Sequence, residues 1–415
     1  MRLALNFQKV DPSKGGAETY VVDLCRRLVK AGHSVDLYAE SWREDVLPPD
    51  VKCVPVRVLG RTRLGRMFSF GGNSAKALSA AEYDCTVGFI NTWHHDVLIP
   101  QGGVHEGSLE ANSKRYPEEI RRAFYKLGKK LNPKWWAYRL IERKQYDSTR
   151  SSRCVAVSRM VMEHLQRFHH VPKHRVHVVP NAIDADRLIV SQPDAVRCGF
   201  RNKLGLAPGD LVGLFVGHNY WLKGLKPLLV ALATRKRSDP AARPIKIVVC
   251  GGGKTAPFRR MIRRLGLENE VALLGFVDDI RACYWSCDFF VSPTYYDPCS
   301  LVVFEALACG LPVITTGCNG AGELMTDGRE GYVITAPDST GELIAALNHM
   351  TDNDARAMMS ANATELGREQ SMDRHVSRLI KVFEEVAAAK SRWGGPHLGR
   401  TGRGIGSSNS KKTVG

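Results

Sequence analysis

Two hydrophobic periods alternate along the chain. Short apolar runs that read as strands are followed by stretches with helical spacing, the pattern of βαβ units around parallel sheets. Leu3 to Phe7 is the first apolar run, and a loop with Gly15 and Gly16 follows it. Ala17 to Ala31 then has helical spacing, with Val21, Leu24, Leu28 and Val29 on one face and Gly32 as its C-terminal stop. Further strands are predicted at Ser34–Tyr38, Cys85–Phe89, Arg153–Val157 and His177–Val179. The cycle restarts at Leu211–Gly217 and continues through Ile245–Cys250, Val271–Leu274, Phe289–Val291 and Pro312–Thr315. The stretch Asn181 to Pro208 reads as the connection between two halves. The expected fold class is α/β: two Rossmann-like domains facing each other across a cleft. The boundaries are 1–182 for the first domain, 183–372 for the second, and 373–390 for a terminal helix returning to the first. Residues 391–415 form a Gly-, Ser- and Lys/Arg-rich tail with too little apolar surface to fold.

Composition fits this division. A chain of 415 residues exceeds one ordinary core. With 44% hydrophobic and 24% charged residues it reads as globular. No apolar run reaches the length of a membrane span, and Met1 to Phe7 runs into the first strand without a secretory-signal pattern. The eleven cysteines are scattered, and only Cys283 and Cys287 lie four apart, with no second pair at zinc-like spacing. They read as reduced thiols of a cytosolic protein. The net charge of +17 implies an anionic partner: nucleic acid, membrane surface or substrate.

The stretch from Asp297 to Val313 carries the most chemistry. Asp297 lies in the loop after a predicted strand, and Glu305 falls eight residues later inside a helix starting near Ser300. A loop-to-helix junction after a parallel strand aims free backbone N–H groups at a crevice, where the helix dipole favours phosphate. Carboxylates beside it accept hydrogen bonds from sugar and ribose hydroxyls. Lys14-Gly15-Gly16-Ala17-Glu18 stands between the first strand and the first helix, where glycine lets a backbone approach a diphosphate. Val216 to Gly224 follows the first strand of the second half and carries Lys223. Gly251-Gly252-Gly253 follows another strand without completing G-x-G-x-x-G. Read on spacing alone, Asp297 and Glu305 could equally be a cap and a solvated helix acid.

These motifs together resemble the retaining GT-B glycosyltransferases, in particular glycosyltransferase family four, over most of residues 1–390. Asp297 to Glu305 resembles the family's E-x7-E donor site. The resemblance implies that Asp297 contacts the donor sugar, Glu305 the ribose, and the Ser300 and Leu301 amides the distal phosphate. Asp297 stands where the family usually has Glu, and Ser300 where it has Gly. Lys223 matches the lysine of an Arg/Lys pair that neutralises the diphosphate, whereas Leu222 occupies the arginine position. Gly15, Gly16 and Gly217 match phosphate-lining glycines, and Gly275-Phe276-Val277 the turn that reads uracil. Val155–Ser158 and Val179–Asp184 match structural markers, with Ala182 in place of Gly.

The nearest subgroup by resemblance is the lipopolysaccharide core glucosyltransferases that act on heptose. Its words here are Tyr38–Trp42, Val87–Phe89 and Ile141–Tyr146. The aspartate this subgroup has near the reacting carbon falls near Gly102, so His105 or Asp96 is expected to substitute. The expected catalytic set is therefore His105, Asp297 and Lys223. The nucleotide-sugar set is Gly15, Gly16, Gly217, Lys223, Phe276, Asp297, Ser300, Leu301 and Glu305. No metal or other cofactor is expected beyond the sugar-nucleotide co-substrate. The implied reaction is retaining transfer of a hexose, glucose from UDP-glucose, to a lipid-linked or lipopolysaccharide core glycan. Two alternatives share the architecture: a UDP-N-acetylglucosamine epimerase and a non-catalytic glycan- or partner-binding descendant. Between Lys114 and Arg150, basic residues interleave with Tyr116, Phe124, Tyr125, Trp135, Trp136 and Tyr138. This suits an interfacial segment on an anionic bilayer. No nucleic-acid module accompanies it. The expected location is cytoplasmic, peripheral at the inner face of the cytoplasmic membrane.

Overall fold

The computed structural model describes residues 1–116, 118–146 and 152–392. The expected tail of 391–415 lies outside the described residues from 393 onward.

Seven parallel strands build the first sheet, in the order Val51–Pro55, Ser34–Ala39, Arg2–Asn6, Cys85–Gly88, Val97–Leu98, Arg153–Ala156 and Val176–Val178. Six build the second, also parallel, in the order Val271–Gly275, Ile245–Cys250, Leu211–Val216, Phe289–Ser292, Val313–Thr316 and Gly331–Ile334. The strands are nearly continuous apolar runs because helices cover both faces of each sheet. The strand order turns around beside Arg2–Asn6 in one sheet and beside Leu211–Val216 in the other. Such switch points open a crevice at the carboxyl ends of the strands, and the glycine loops follow those two strands. The two Rossmann-like units of an α/β protein are thus both present.

Helix Gly16–Lys30 buries Val21, Leu24 and Leu28, and Gly32 ends it with φ of 81°. The region read as a connection, 181–208, is more structured than expected. It contains a helix over Pro193–Lys203, started by Pro193 and anchored by buried Arg201. The Arg201 guanidinium donates to Ser286 O, Pro208 O, Asp210 O and the Asp288 carboxylate. Its polar sequence hides a helix whose inward anchor is a charged side chain rather than an apolar stripe.

The chain passes between the units twice, and the two passages pair. Ile183 N donates to Gln370 O at 3.2 Å, and Met372 N to Ile183 O at 3.1 Å. The last described helix, Met372–Arg392, then packs on Gly16–Lys30. Arg27 pairs with Asp184 at one passage and Asp373 at the other. Lys390 reaches Asp96 Oδ2 at 3.0 Å. Apolar packing runs without a break from the first sheet through Ala182, Ile183 and Leu188 onto one face of the second.

Candidate functional site

Three loops at the carboxyl ends of neighbouring strands form one wall. The Gly217–Gly224 loop after Leu211–Val216 closes with Lys223 N donating to Asn219 O at 2.9 Å. Gly224, at φ of 80°, starts helix Leu225–Ser238. A Cβ there would collide with Pro293 O, so only glycine lets this loop lie on the next one. The two loops are laced further by Tyr295 N and Thr294 Oγ1, which donate to Leu222 O at 2.9 and 3.1 Å. This lacing brings Lys223 Nζ onto Asp297 Oδ2 as an ion pair. The Asp297 backbone is fixed between Cys318 O and Gly320 N, and its side chain is mostly buried. A Cβ on Gly217 would lie 2.9 Å from Lys223 Cγ, so the glycine gives the lysine stem its path.

Helix Leu301–Ala308 starts right after this pair. Ser300 precedes it in extended conformation with no side-chain cap, and Ser300 N donates to Asn319 Oδ1 at 3.3 Å. The uncapped amides and the dipole make this a place for an anion. Gly16 of the first unit faces it, where a Cβ would come 2.8 Å from Leu301 Cδ1. Gly15 begins helix Gly16–Lys30, again without a side-chain cap. Two glycines therefore bring one helix start up to another across the cleft.

Glu305 sits one turn into the same helix. Tyr284 Oη donates to its Oε2 at 2.6 Å. Burial pushes the Glu305 carboxyl above the usual carboxylate range, and the Tyr284 hydrogen bond opposes that shift. Farther along the wall, Gly251 N donates to Gly275 O at 2.7 Å. Gly275 has φ of 76°, and the following Phe276 stands 63% exposed, free to contact a planar base.

The facing wall is the loop before helix His105–Ser113. Gly103, at φ of 69°, abuts Tyr296 Oη and Pro298, the residues on either side of Asp297. Val104 N donates to Tyr296 Oη at 3.2 Å. His105 thereby stands beside the Asp297 loop. Its backbone N donates to Glu142 Oε1 at 2.7 Å, and its ring stacks on Tyr138 with centroids 5.3 Å apart. His105 lines a cavity of about 710 Å³ with Glu18, Arg63, Arg66, Gly102 and Glu142.

The structure thus joins Lys223 to Asp297, sets Ser300, Leu301 and Glu305 on one helix end, and turns Gly15 and Gly16 toward that end. Gly217 touches Lys223, Phe276 marks the far edge, and His105 faces the centre. Asp96 is a correction. It sits before strand Val97–Leu98, at the opposite end from the cleft, where Thr86 N, Thr86 Oγ1 and Lys390 Nζ hold its Oδ2. It cannot stand in for the aspartate expected near Gly102. Tyr284, Tyr296, Glu142 and Asn319 were not foreseen, since each acts through a partner far away in sequence.

Comparison with known proteins agrees with the two-unit fold. Residues 14–187 match the family described as Glycosyltransferase Family 4, and residues 198–366 match Glycosyl transferases group 1. The D-inositol 3-phosphate glycosyltransferase of Salinispora tropica is 27% identical over 409 residues, covering 90% of this chain and 82% of its own. The lipopolysaccharide glucosyltransferase WaaG of Escherichia coli is 24% identical over 350 residues, covering 84% and 90%. Among solved structures, that of WaaG superposes with a TM-score of 0.74 at 22% identity, over 92% of this chain and 99% of that one. Anabaena HepE in complex with UDP and glucose gives 0.69 at 18% identity, over 93% and 100%. With both halves matched in sequence and the two-unit fold shared, the chain is a glycosyltransferase and belongs to the GT-B glycosyltransferases of family four.

Proposed function

We propose that the enzyme transfers a hexose, glucose from UDP-glucose, to a lipid-linked or lipopolysaccharide core glycan with retention at the anomeric carbon. The observation that carries this reading is the Lys223–Asp297 pair beside the uncapped start of Leu301–Ala308, faced by Gly15 and Gly16. A nucleoside diphosphate laid along that wall meets amides and an ammonium at its phosphates. Its ribose meets Glu305 and its sugar meets Asp297. HepE, crystallised with UDP and glucose, supports a UDP-sugar donor. WaaG, a lipopolysaccharide glucosyltransferase, supports the acceptor class.

In this reading no covalent sugar–enzyme bond forms. The C1–O bond to the diphosphate breaks as the acceptor oxygen arrives on the same face, and the leaving phosphate oxygen takes the acceptor proton. Amides and Lys223 stabilise charge developing on the diphosphate. Asp297 orients the sugar hydroxyls, and His105 hydrogen-bonds the sugar or the incoming oxygen. Closure of the cleft excludes water and suppresses hydrolysis. The chemistry in this reading requires no metal.

The acceptor enters by the cavity beside His105, and the protein works at the inner face of the cytoplasmic membrane. Helix Glu119–Lys130 buries none of its residues and exposes Ile120, Phe124 and Leu127. Leu131, Trp136 and Leu140 are exposed beside it, in and before helix Pro133–Gln145. No described helix is long and apolar enough to cross a membrane, so an interfacial seat fits this basic hairpin. The cavity of about 710 Å³ beside His105 gives a second substrate room next to the donor wall, whereas an epimerase would convert the sugar nucleotide with no acceptor present.

The test is UDP-glucose turnover with and without a glycan acceptor, by wild type and by folded Glu305→Ala and Lys223→Ala. Acceptor-dependent transfer lost in both variants supports the reading. Epimerised nucleotide without acceptor, or wild-type transfer by both variants, overturns it.

A further inference from the structure

A departing nucleoside diphosphate gathers about two to three negative charges, and this wall is short of cations to meet them. Lys223 arrives already paired with Asp297. Its neighbour Leu222, half-buried, brings no charge. A second cation must come from another element.

The loop after strand Ile245–Cys250 supplies one. That strand pairs with Leu211–Val216 over its full length, Val216 opposite Cys250. The two following loops therefore leave the sheet side by side, and three glycines press them together. A Cβ on Gly251 would overlap Gly217 O. Gly252 N donates to His218 Nδ1 at 3.3 Å. A Cβ on Gly253 would stand 2.7 Å from Tyr220 Cδ2 and 2.9 Å from His218 O. The next residue is Lys254, exposed and, among the described residues, engaged in no hydrogen bond or ion pair. Among other described cations near the cleft, Lys9 and Arg66 pair with Glu40 and Arg281 with Asp279, while Arg63 lines the cavity beside His105 on the facing wall. An unpaired ammonium on a four-carbon stem, beside the Gly217–Lys223 turn, reaches an anion lying over that turn.

We propose that Lys254 binds the diphosphate of the sugar nucleotide and supplies the cation that Leu222 does not. The assignment rests on the donor reading above. Two features distinguish it from general surface charge: the cation sits on the adjacent strand's loop, and the three preceding glycines let that loop lie against the Gly217–Tyr220 turn. Its role is to hold the diphosphate and to stabilise the charge developing there as the C1–O bond breaks.

The experiment is calorimetric titration of UDP, UMP and uridine into wild type, Lys254→Met, Lys223→Ala and Lys254→Met/Leu222→Arg, with GDP and ADP in parallel on wild type. Thermal melting confirms folding, which an exposed loop lysine does not govern. Lys254→Met is expected to weaken UDP about tenfold or more and leave uridine within about twofold. It should also lower kcat with the sugar nucleotide and flatten the salt dependence of UDP binding. Restoring charge at position 222 in the double variant should recover most of the lost affinity. UDP binding within about twofold of wild type in Lys254→Met, or an equal loss for UDP and uridine, overturns the assignment while Lys223→Ala still reports on the donor site. A double variant no tighter than Lys254→Met overturns the exchange of roles. A wild-type protein that binds none of the three nucleotides overturns the donor reading itself.

Discussion

Lys223 and Asp297 form an ion pair with only 22% and 11% of their side chains exposed, so the ammonium and the carboxylate, which the proposed donor reading sets on the phosphate and the sugar, are positioned as one unit. Truncating either leaves a poorly hydrated charge behind as well as a missing ligand contact. Asp297→Asn and Lys223→Met are each expected to lower kcat/KM for the donor by roughly 10²- to 10³-fold, the scale seen when one preorganised group is lost from developing charge. Because the two act through each other, the double variant should lose clearly less than the product of the single losses. Steady-state kinetics on all four proteins checks this; multiplicative losses would mean that the pair is not coupled in catalysis.

Tyr284 is the least expected residue of the site. It is fully buried and spends its hydroxyl on Glu305. That bond favours the carboxylate form against the burial that disfavours it. Tyr284→Phe should weaken donor binding by about 1–2 kcal/mol, mainly in KM. The pH profile carries a second signature. Glu305 has a raised carboxyl, so the carboxylate that the proposed reading sets on the ribose is lost as pH falls through that raised value. Removing the Tyr284 hydroxyl raises it further, and the acid limb of donor binding should move to higher pH. An unmoved acid limb in Tyr284→Phe would separate the tyrosine from the ionisation of Glu305.

Elements repeated at regular intervals were legible in sequence, and cross-chain partnerships were not. The strand-and-helix alternation gave two parallel sheets because doubly covered strands are continuous apolar runs. Asp297, Glu305 and Lys223 were singled out by the resemblance to a donor site, since spacing alone left a cap and a solvated acid equally open; the structure pairs Lys223 with Asp297 and sets Glu305 in the helix that follows. The helix Pro193–Lys203 was missed because its anchor is Arg201, an inward-facing charge that reads as solvent-exposed. Asp96 was misread because its loop was near the right place in sequence, whereas its side chain belongs to the amino end of the sheet, under Lys390. Tyr284 and Tyr296 serve residues 21 and 192 positions away, respectively Glu305 and Val104. No pattern along the chain encodes such pairs.

Gly103 is required by its conformation and by its neighbours. Its φ of 69° disfavours any L side chain, and a Cβ would meet Tyr296 Oη and come 2.8 Å from Pro298 Cγ. Gly103→Ala should cost about 1–2 kcal/mol from the left-handed backbone alone and push the His105 loop off the Asp297 loop. Transfer to the acceptor should fall more than UDP affinity. Adding Tyr296→Phe removes the hydroxyl but not the backbone cost or Pro298, so it should rescue little. Urea unfolding and paired transfer and binding assays read both effects; full rescue would place the whole effect on the tyrosine.

His375 gives the fold a defined acid limit. It is buried on the terminal helix between Tyr20 Oη and Pro180 O, both at 2.7 Å. Burial pushes its pKa down to about 4, with Arg378 acting in the same direction and the Pro180 carbonyl opposing it. The folded state keeps this ring neutral while the unfolded chain protonates it near 6.5. The contribution is therefore fully present above about pH 6.5 and is lost as pH falls toward 4, by an amount on the order of 3 kcal/mol. Stability curves for wild type and His375→Gln should converge as pH is lowered from 7 to 4.5. Parallel curves would show that another group sets the acid limit.

The basic hairpin predicts a membrane interaction that depends on both charge and apolar contact. Phe124, Leu131 and Trp136 are 67%, 74% and 57% exposed, in a segment that also carries Arg121, Arg122, Lys126, Lys129, Lys130 and Lys134. Inserting one such side chain at an interface is worth about 1.5–3 kcal/mol at full burial. Attraction of the cations to anionic lipid is screened within about 10 Å at 0.1 M salt. Flotation should therefore follow anionic lipid content, weaken as salt rises, and fall roughly tenfold or more in a Phe124→Ser/Leu131→Ser variant. Neither residue packs in the core, so the same variant should melt like wild type and turn over a water-soluble acceptor at the wild-type rate. Equal flotation on neutral and anionic vesicles, or an unchanged variant, would assign this face to something other than a bilayer.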